Sequence, residues 1–145
     1  MSIWKITPSI EEINKMRPNT LLDSLEIEFT EFTDNTLSAK MPVNDKTVQP
    51  FRILHGGASI ALAETVGSVA SLHMIDRENE ISVGQSIASN HIKAAKSGFV
   101  SASAKAKHIG KSSHVWEIEI RNAAGELVNI TTLTMAVLTK KQIKN

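Results

Sequence analysis

From Ile53 to Ile75 the chain is apolar or small almost throughout, yet one carboxylate, Glu64, sits near the middle of the run. A carboxylate two turns inside a buried helix costs several kcal/mol unless it is partnered or protonated. Two roles fit it: a polar contact in a helix-helix seam, or a general base or nucleophile in a restricted pocket. Eight residues earlier the sequence His55-Gly56-Gly57-Ala58-Ser59 reads as a helix start, with glycines at the opening and helix formers immediately after. Unpaired amides at such a start, reinforced by the helix dipole, bind anions and developing oxyanions, and glycine lets a carbonyl come close. The same two glycines also suit plain close packing.

The two parts are separated by geometry. At about 1.5 Å per residue, eight helical positions put about 12 Å between the backbones of Gly56 and Glu64. A glutamate side chain leaning toward the helix N-terminus recovers about 4 to 5 Å of that distance, which leaves one carbonyl unable to meet both. A two-fold related helix running antiparallel brings Glu64 of one subunit beside Gly56 of the other, so the sequence predicts a homodimer with shared sites. Along the helix Glu64, Ser68 and Ser71 fall on one stripe, and Leu62, Val66, Val69 and His73 on another. Ala61, Ser68 and Ser71 are small enough to leave room for an aryl ring.

The elements around this helix follow from changes of period. Ser9 and Glu12 stand in capping-box spacing ahead of Ile10, Ile13 and Met16, which predicts a short opening helix that Pro18 ends. Leu25, Ile27 and Phe29 alternate with Glu26, Glu28 and Thr30, and with Thr36–Val43 they predict an antiparallel hairpin. From about Ile81 the pattern alternates: Ser101, Ser103, Lys105 and Lys107 oppose Val100, Ala102, Ala104 and Ala106, a strand facing something through small side chains. Trp116, Ile118 and Ile120 share one face of a further strand, and the last strand is apolar on both faces. Hairpin-linked strands with one long buried helix predict an α+β protein, an antiparallel sheet wrapped on that helix. A length of 145 residues suits one domain, residues 1–145, compact from near Pro8 to about Thr139.

Composition narrows the function classes. Sixteen basic against fifteen acidic residues give a formal charge of +1, which argues against nucleic acid as partner. The chain has no cysteine, so disulfides and thiolate metal sites are excluded, and His91, His108 and His114 lack ligand spacing, so no metal or other cofactor is expected. Residues 57–75 are too rich in Ala, Gly and Ser, and too interrupted by Glu64 and His73, to suit lipid. Glu11, Glu12 and Pro18 do not fit a signal peptide, and a cytoplasmic location is the expectation. No G-x-S-x-G elbow is present, which disfavours a serine triad.

The stretch QPFRILHGGASIALAETVGSVAS, with SNHIKAAKSG and HIGKSSHVWEIEI further on, closely resembles hotdog-fold acyl-CoA thioesterases, in the branch of aromatic acyl-CoA hydrolases. The resemblance implies a hotdog fold, an acyl-CoA substrate, and a dimer with shared sites that pairs again into a tetramer. It implies Glu64 as the catalytic carboxylate and the Gly56 amide as the group that polarises the thioester carbonyl. It further implies Gln49 and His55 as orienting side chains, Ser68 as a hydroxyl that helps to place water, and His91 near the pantetheine and nucleotide end. Lys93, Lys96, Lys107 and Lys111 are candidates for the coenzyme A phosphates, although exposed lysines are usually just solvated. Glu64 either deprotonates a water or attacks the carbonyl to give a mixed anhydride, and the sequence leaves both routes open. Three other readings stand beside this one: a proofreading hydrolase of mis-acylated carrier proteins, a hydratase or dehydratase pairing His55 with Glu64, and a non-catalytic acyl-CoA-binding protein.

Overall fold

The computed structural model describes residues 1–143. Two short helices, α1 (Ile10–Asn14) and α2 (Leu21–Ser24), lead into the hairpin β1 (Glu28–Phe32) and β2 (Thr36–Pro42). The long helix α3 (Gly56–Leu72) follows, then strands β3 (Glu80–His91), β4 (Phe99–Ile109), β5 (Ser113–Asn122) and β6 (Leu127–Thr139), and a terminal turn of helix α4 (Lys140–Ile143). The strands form one antiparallel sheet in the order β1-β2-β4-β5-β6-β3, with α3 packed across β2 to β6. This is the antiparallel sheet wrapped on one long helix that the sequence predicts, and it matches the hotdog fold that the resemblance implies.

The helix lies close to the sheet because the facing side chains are small. Val100, Ala102 and Ala104 of β4 are fully buried, as are Ala39, Ala63 and Ala70, while Lys105 points outward. The approach is tightest at Gly67, where a Cβ would come within 2.5 Å of Leu133 Cδ2. Larger residues then fill the flanks: Leu37, Met41, Leu62, Trp116, Ile118, Ile120 and Leu133 are all sealed from solvent.

The N-terminal part departs from expectation twice. The compact region begins before Pro8, since Trp4 is buried, stacks on Trp116 with ring centroids 6.2 Å apart, and donates its Nε1–H to the Thr33 carbonyl at 2.7 Å. The alternating run at Leu25 is not strand from its start. Leu21–Ser24 forms a helical turn, Glu26 takes a left-handed φ of 56°, and pairing with β2 begins only at Glu28. The opening helix does form, with the Ser9 hydroxyl accepting the Glu12 amide at 3.3 Å.

One polar cluster is buried beneath the C-terminal half of α3. Trp116 Nε1–H donates to Ser71 Oγ at 2.7 Å, and the Ser71 hydroxyl meets His114 Nδ1 at 3.1 Å. Burial, with nearby His108, pushes the His114 imidazole below its usual range against a smaller opposing pull from Glu80. His73, packed edge-on against Trp4, is lowered by burial and by Arg77, and raised in part by its bond to the Ile6 carbonyl. Both rings are therefore held neutral in the fold, whereas the unfolded chain takes up these protons at about pH 6.5. The unfolded state binds more protons below that point, so the contribution is complete above about pH 6.5 and is lost as pH falls toward the depressed folded values. Urea unfolding between about pH 8 and pH 5 at fixed protein concentration should show stability falling with acid, by at most about 1.4 kcal/mol per pH unit for each imidazole. His114→Gln, which cannot titrate, should unfold with a shallower pH dependence.

Candidate active site

The start of α3 can be settled amide by amide. His55 is the N-cap: its Nδ1 accepts from the Gly57 amide at 2.8 Å, and its carbonyl accepts from Ala58 at 2.9 Å and Ser59 at 3.2 Å. Among the described residues the Gly56 amide has no partner, so it is the one free donor of the first turn. It opens on a cleft of about 300 Å³ that Gln49, Leu54, Ser59, His91 and Lys93 help to line. A Cβ on Gly56 would lie 2.8 Å from His91 Nε2, so the helix start and the end of β3 touch here. The capping role of His55 is a structural one; it fixes Nδ1 as acceptor and leaves the proton on the exposed Nε2. Gln49 is likewise partly committed, since its Oε1 accepts the Phe51 amide in the turn that Arg52 completes at φ 64°. Its Nε2 has no partner among the described residues.

Glu64 occupies a second cleft, of about 240 Å³, lined also by Gly84, Gln85, Ser86, Ile87 and Leu133. It is half-buried, and among the described residues its carboxylate has neither a hydrogen bond nor an ion pair. The carboxylate lies against the edge strand β3 where a bulge falls between Gly84 and Ser86; a Cβ on Gly84 would be 2.4 Å from Glu64 Oε1. Ser68, one turn on, has its hydroxyl 3.6 Å from Met135 Sδ on β6. Ser71 is not in a pocket at all. Expected to leave room for an aryl ring, it is instead fully buried and bonded to Trp116 and His114, because the sheet crosses over that end of the helix.

The lysines separate. Lys93 sits on the rim of the first cleft and pairs with Glu126, whose carboxyl it holds below the usual range with help from Asn122. Lys107 and Lys111 line neither cleft. Strand alternation puts Lys107 on the sheet face away from the helix, paired with Glu117 at 2.9 Å, and Lys111 is exposed in the β4–β5 turn. Lys96 is exposed between β3 and β4. Among the described residues no group of three metal-ligating side chains forms, and no helix is long and apolar enough to cross a membrane.

A free amide at one cleft and an unpaired carboxylate at another are candidate parts of an acyl-transfer site, and residues 51–129 match the model of the Thioesterase superfamily. The chain belongs to this family. It is 41% identical to the 1,4-dihydroxy-2-naphthoyl-CoA hydrolase of Escherichia coli, over 94% of this chain and 99% of that protein. It is 40% identical to the proofreading thioesterase EntH of Cronobacter turicensis, over 94% and 98% of the two chains. The crystal structure of a mutant thioesterase PA1618 from Pseudomonas aeruginosa superposes with a TM-score of 0.94 at 42% identity, covering 95% of this chain and 99% of that one. The protein is thus a thioester hydrolase of hotdog fold.

Two neighbours of the candidate residues are absent from the sequence reading. Gly84 is signalled by an isolated glycine in an alternating strand, the usual mark of a bulge or a close approach. Asn129, which touches His91 from below, is signalled only by one amide in an otherwise apolar and threonine-rich strand. The contact at Gly84 has a direct consequence. Gly84→Ala should leave the fold intact, because the flexible end of Glu64 can move aside, and should lower thioester turnover by about tenfold or more by displacing the carboxylate. Thermal unfolding alongside a thiol-release assay reads both.

Proposed function

We propose that the chain hydrolyses the thioester of an aromatic acyl-CoA, with the Gly56 amide polarising the carbonyl and Glu64 of a second copy acting on it. The observation that carries this reading is the division of labour along α3. The free amide faces one cleft, the unpaired carboxylate faces another, and a straight helix keeps them about 12 Å apart. The edge position of β3 favours an antiparallel pairing with its own copy. If residue i pairs with residue 175 − i, a two-fold between Ile87 and Ala88 puts His91, beside Gly56, opposite Gly84, beside Glu64. Two such dimers pairing again is the further assembly that the family resemblance implies, and a cytoplasmic location belongs to the same reading.

In this site the thioester carbonyl takes the Gly56 N–H, with the Gln49 amide and His55 Nε2–H as further orienting donors. Glu64 either removes a proton from a water that Ser68 helps to hold, so that the water oxygen adds to the carbonyl, or adds to the carbonyl itself to give a mixed anhydride that water then cleaves, freeing the acid and the Glu64 carboxylate. In both cases the acyl–sulfur bond breaks and the coenzyme A thiolate leaves without needing much help from an acid. Lys93 is the cleft cation assigned to the coenzyme A phosphates. Lys107 and Lys111 would reach them only across the assembly. The aromatic acyl group rests on the likeness to 1,4-dihydroxy-2-naphthoyl-CoA hydrolase, and the likeness to a proofreading thioesterase keeps carrier-protein thioesters as the second reading.

Glu64→Gln should lower turnover by about 10²- to 10⁴-fold with fold and binding kept, and a loss below about threefold removes Glu64 from the chemistry. Mixing inactive Glu64→Gln subunits with inactive Gly56→Val subunits should restore activity, since one site of each heterodimer then carries both defects and the other neither. Verified subunit exchange without recovery overturns the shared site. A hydrolysis screen over benzoyl, hydroxybenzoyl, naphthoyl and aliphatic coenzyme A esters and acylated carrier protein assigns the substrate, and preference for long aliphatic chains overturns the aromatic reading.

A further inference from the structure

Beneath His91 the sheet carries a polar square formed by two cross-strand pairs. Ser89 pairs with Thr131, and His91 pairs with Asn129, all on the face toward α3. Asn129 and Thr131 are 0% and 1% exposed, so each of their polar atoms needs a partner within the protein. The partners close a ring. Asn129 Nδ2 donates to Ser89 Oγ at 2.7 Å, Ser89 and Thr131 hydroxyls meet at 2.8 Å, and Thr131 Oγ1–H donates to Asn129 Oδ1 at 2.7 Å. Because the Thr131 proton is committed to Asn129, Ser89 must be the donor in the hydroxyl pair. The second N–H of Asn129 faces His91 Nδ1 at 3.1 Å. Nδ1 must then accept, and the imidazole proton sits on Nε2, the atom that lies against Gly56 at the cleft.

We infer that Asn129 is a positioning residue: it couples the tautomer of His91 to its ring with Ser89 and Thr131 and, in the orientation the structure shows, delivers an Nε2–H donor to the cleft at the start of α3. The ring and the tautomer are coupled. Turning the Asn129 amide over reverses every donor in the ring and moves the imidazole proton to Nδ1, which would present a lone pair to the cleft instead. Asn129 touches no substrate in this scheme; it acts only through His91. What the Nε2–H binds, the acyl-CoA, rests on the function proposed above, whereas the tautomer does not.

Nitrogen NMR of the intact protein labelled in its histidines, with His91 assigned by the signal missing from His91→Gln, reads the protonated ring nitrogen directly. The proton is expected on Nε2 in the wild type. Asn129→Asp, which offers only acceptors, should move it to Nδ1, and Thr131→Val or Ser89→Ala, which open the ring, should give both tautomers. Ser89→Thr keeps the hydroxyl and should keep the wild-type signal. Asn129→Asp is further expected to raise KM for the acyl-CoA by about tenfold while kcat stays within about threefold, as loss of one hydrogen bond at the binding end. A wild-type proton on Nδ1, or a tautomer unmoved in the Asn129 and Thr131 variants, overturns the inference. If Asn129→Asp does not fold, Thr131→Val, which conserves shape, decides alone. A protein that cleaves carrier-protein thioesters but no acyl-CoA, yet shows these NMR results, supports the positioning role and overturns the coenzyme A reading instead.

Discussion

An α-helix cannot bring two of its own positions, eight residues apart, to a single carbonyl. In the proposed site, that spacing governs how the clefts relate to the chemistry. Among the described residues the first turn of α3 has one amide left over after His55 has satisfied the next three, and the carboxylate lies in a separate cleft. Hydrolysis by these two groups therefore favours an assembly over a lone chain. The family match makes the chain a thioester hydrolase, and the helix geometry gives the proposed assembly its physical motive.

Imidazoles do three different jobs here, and in each the bonded ring nitrogen defines the job. His55 accepts an amide and so caps the helix that carries the site. His114 and His73 are buried and lowered, which makes them part of the folded state's acid sensitivity rather than of the reaction. His91 accepts from a buried amide and turns its other nitrogen toward the cleft. The side chains are chemically alike and the partners are not, so their placement in sequence could not separate them.

Much of the architecture was legible from period alone. The shift from the helical run to the alternating segments after Ile81 located α3 and the long strands, and the small parity of β4 foretold how closely the helix would lie. The misreadings have local causes. Leu25 and Ile27 alternate like a strand, but Glu26 adopts a left-handed turn between them, which an alternating pattern cannot reveal. Trp4 lies far in sequence from Trp116, and no spacing rule announces a stack between them. At the candidate site, Glu64 drew notice because a carboxylate is costly inside a buried helix, whereas Asn129 did not, since its meaning lies in the residues facing it from β3.

The buried contact of Ser71 with Trp116 and His114 also sets the rotational phase of the long helix. Seven residues separate Ser71 from Glu64, which is two helical turns to within about 20°, so the two side chains leave the helix in nearly the same direction. Ser71 is held by two bonds in a dry core, and α3 cannot roll about its axis without breaking both. The direction in which Glu64 projects is thereby indexed from a point about 10 Å away along the helix, outside either cleft. Residues around the clefts can change while the carboxylate keeps its bearing, because the pin that holds it lies near the C-terminal end of the helix.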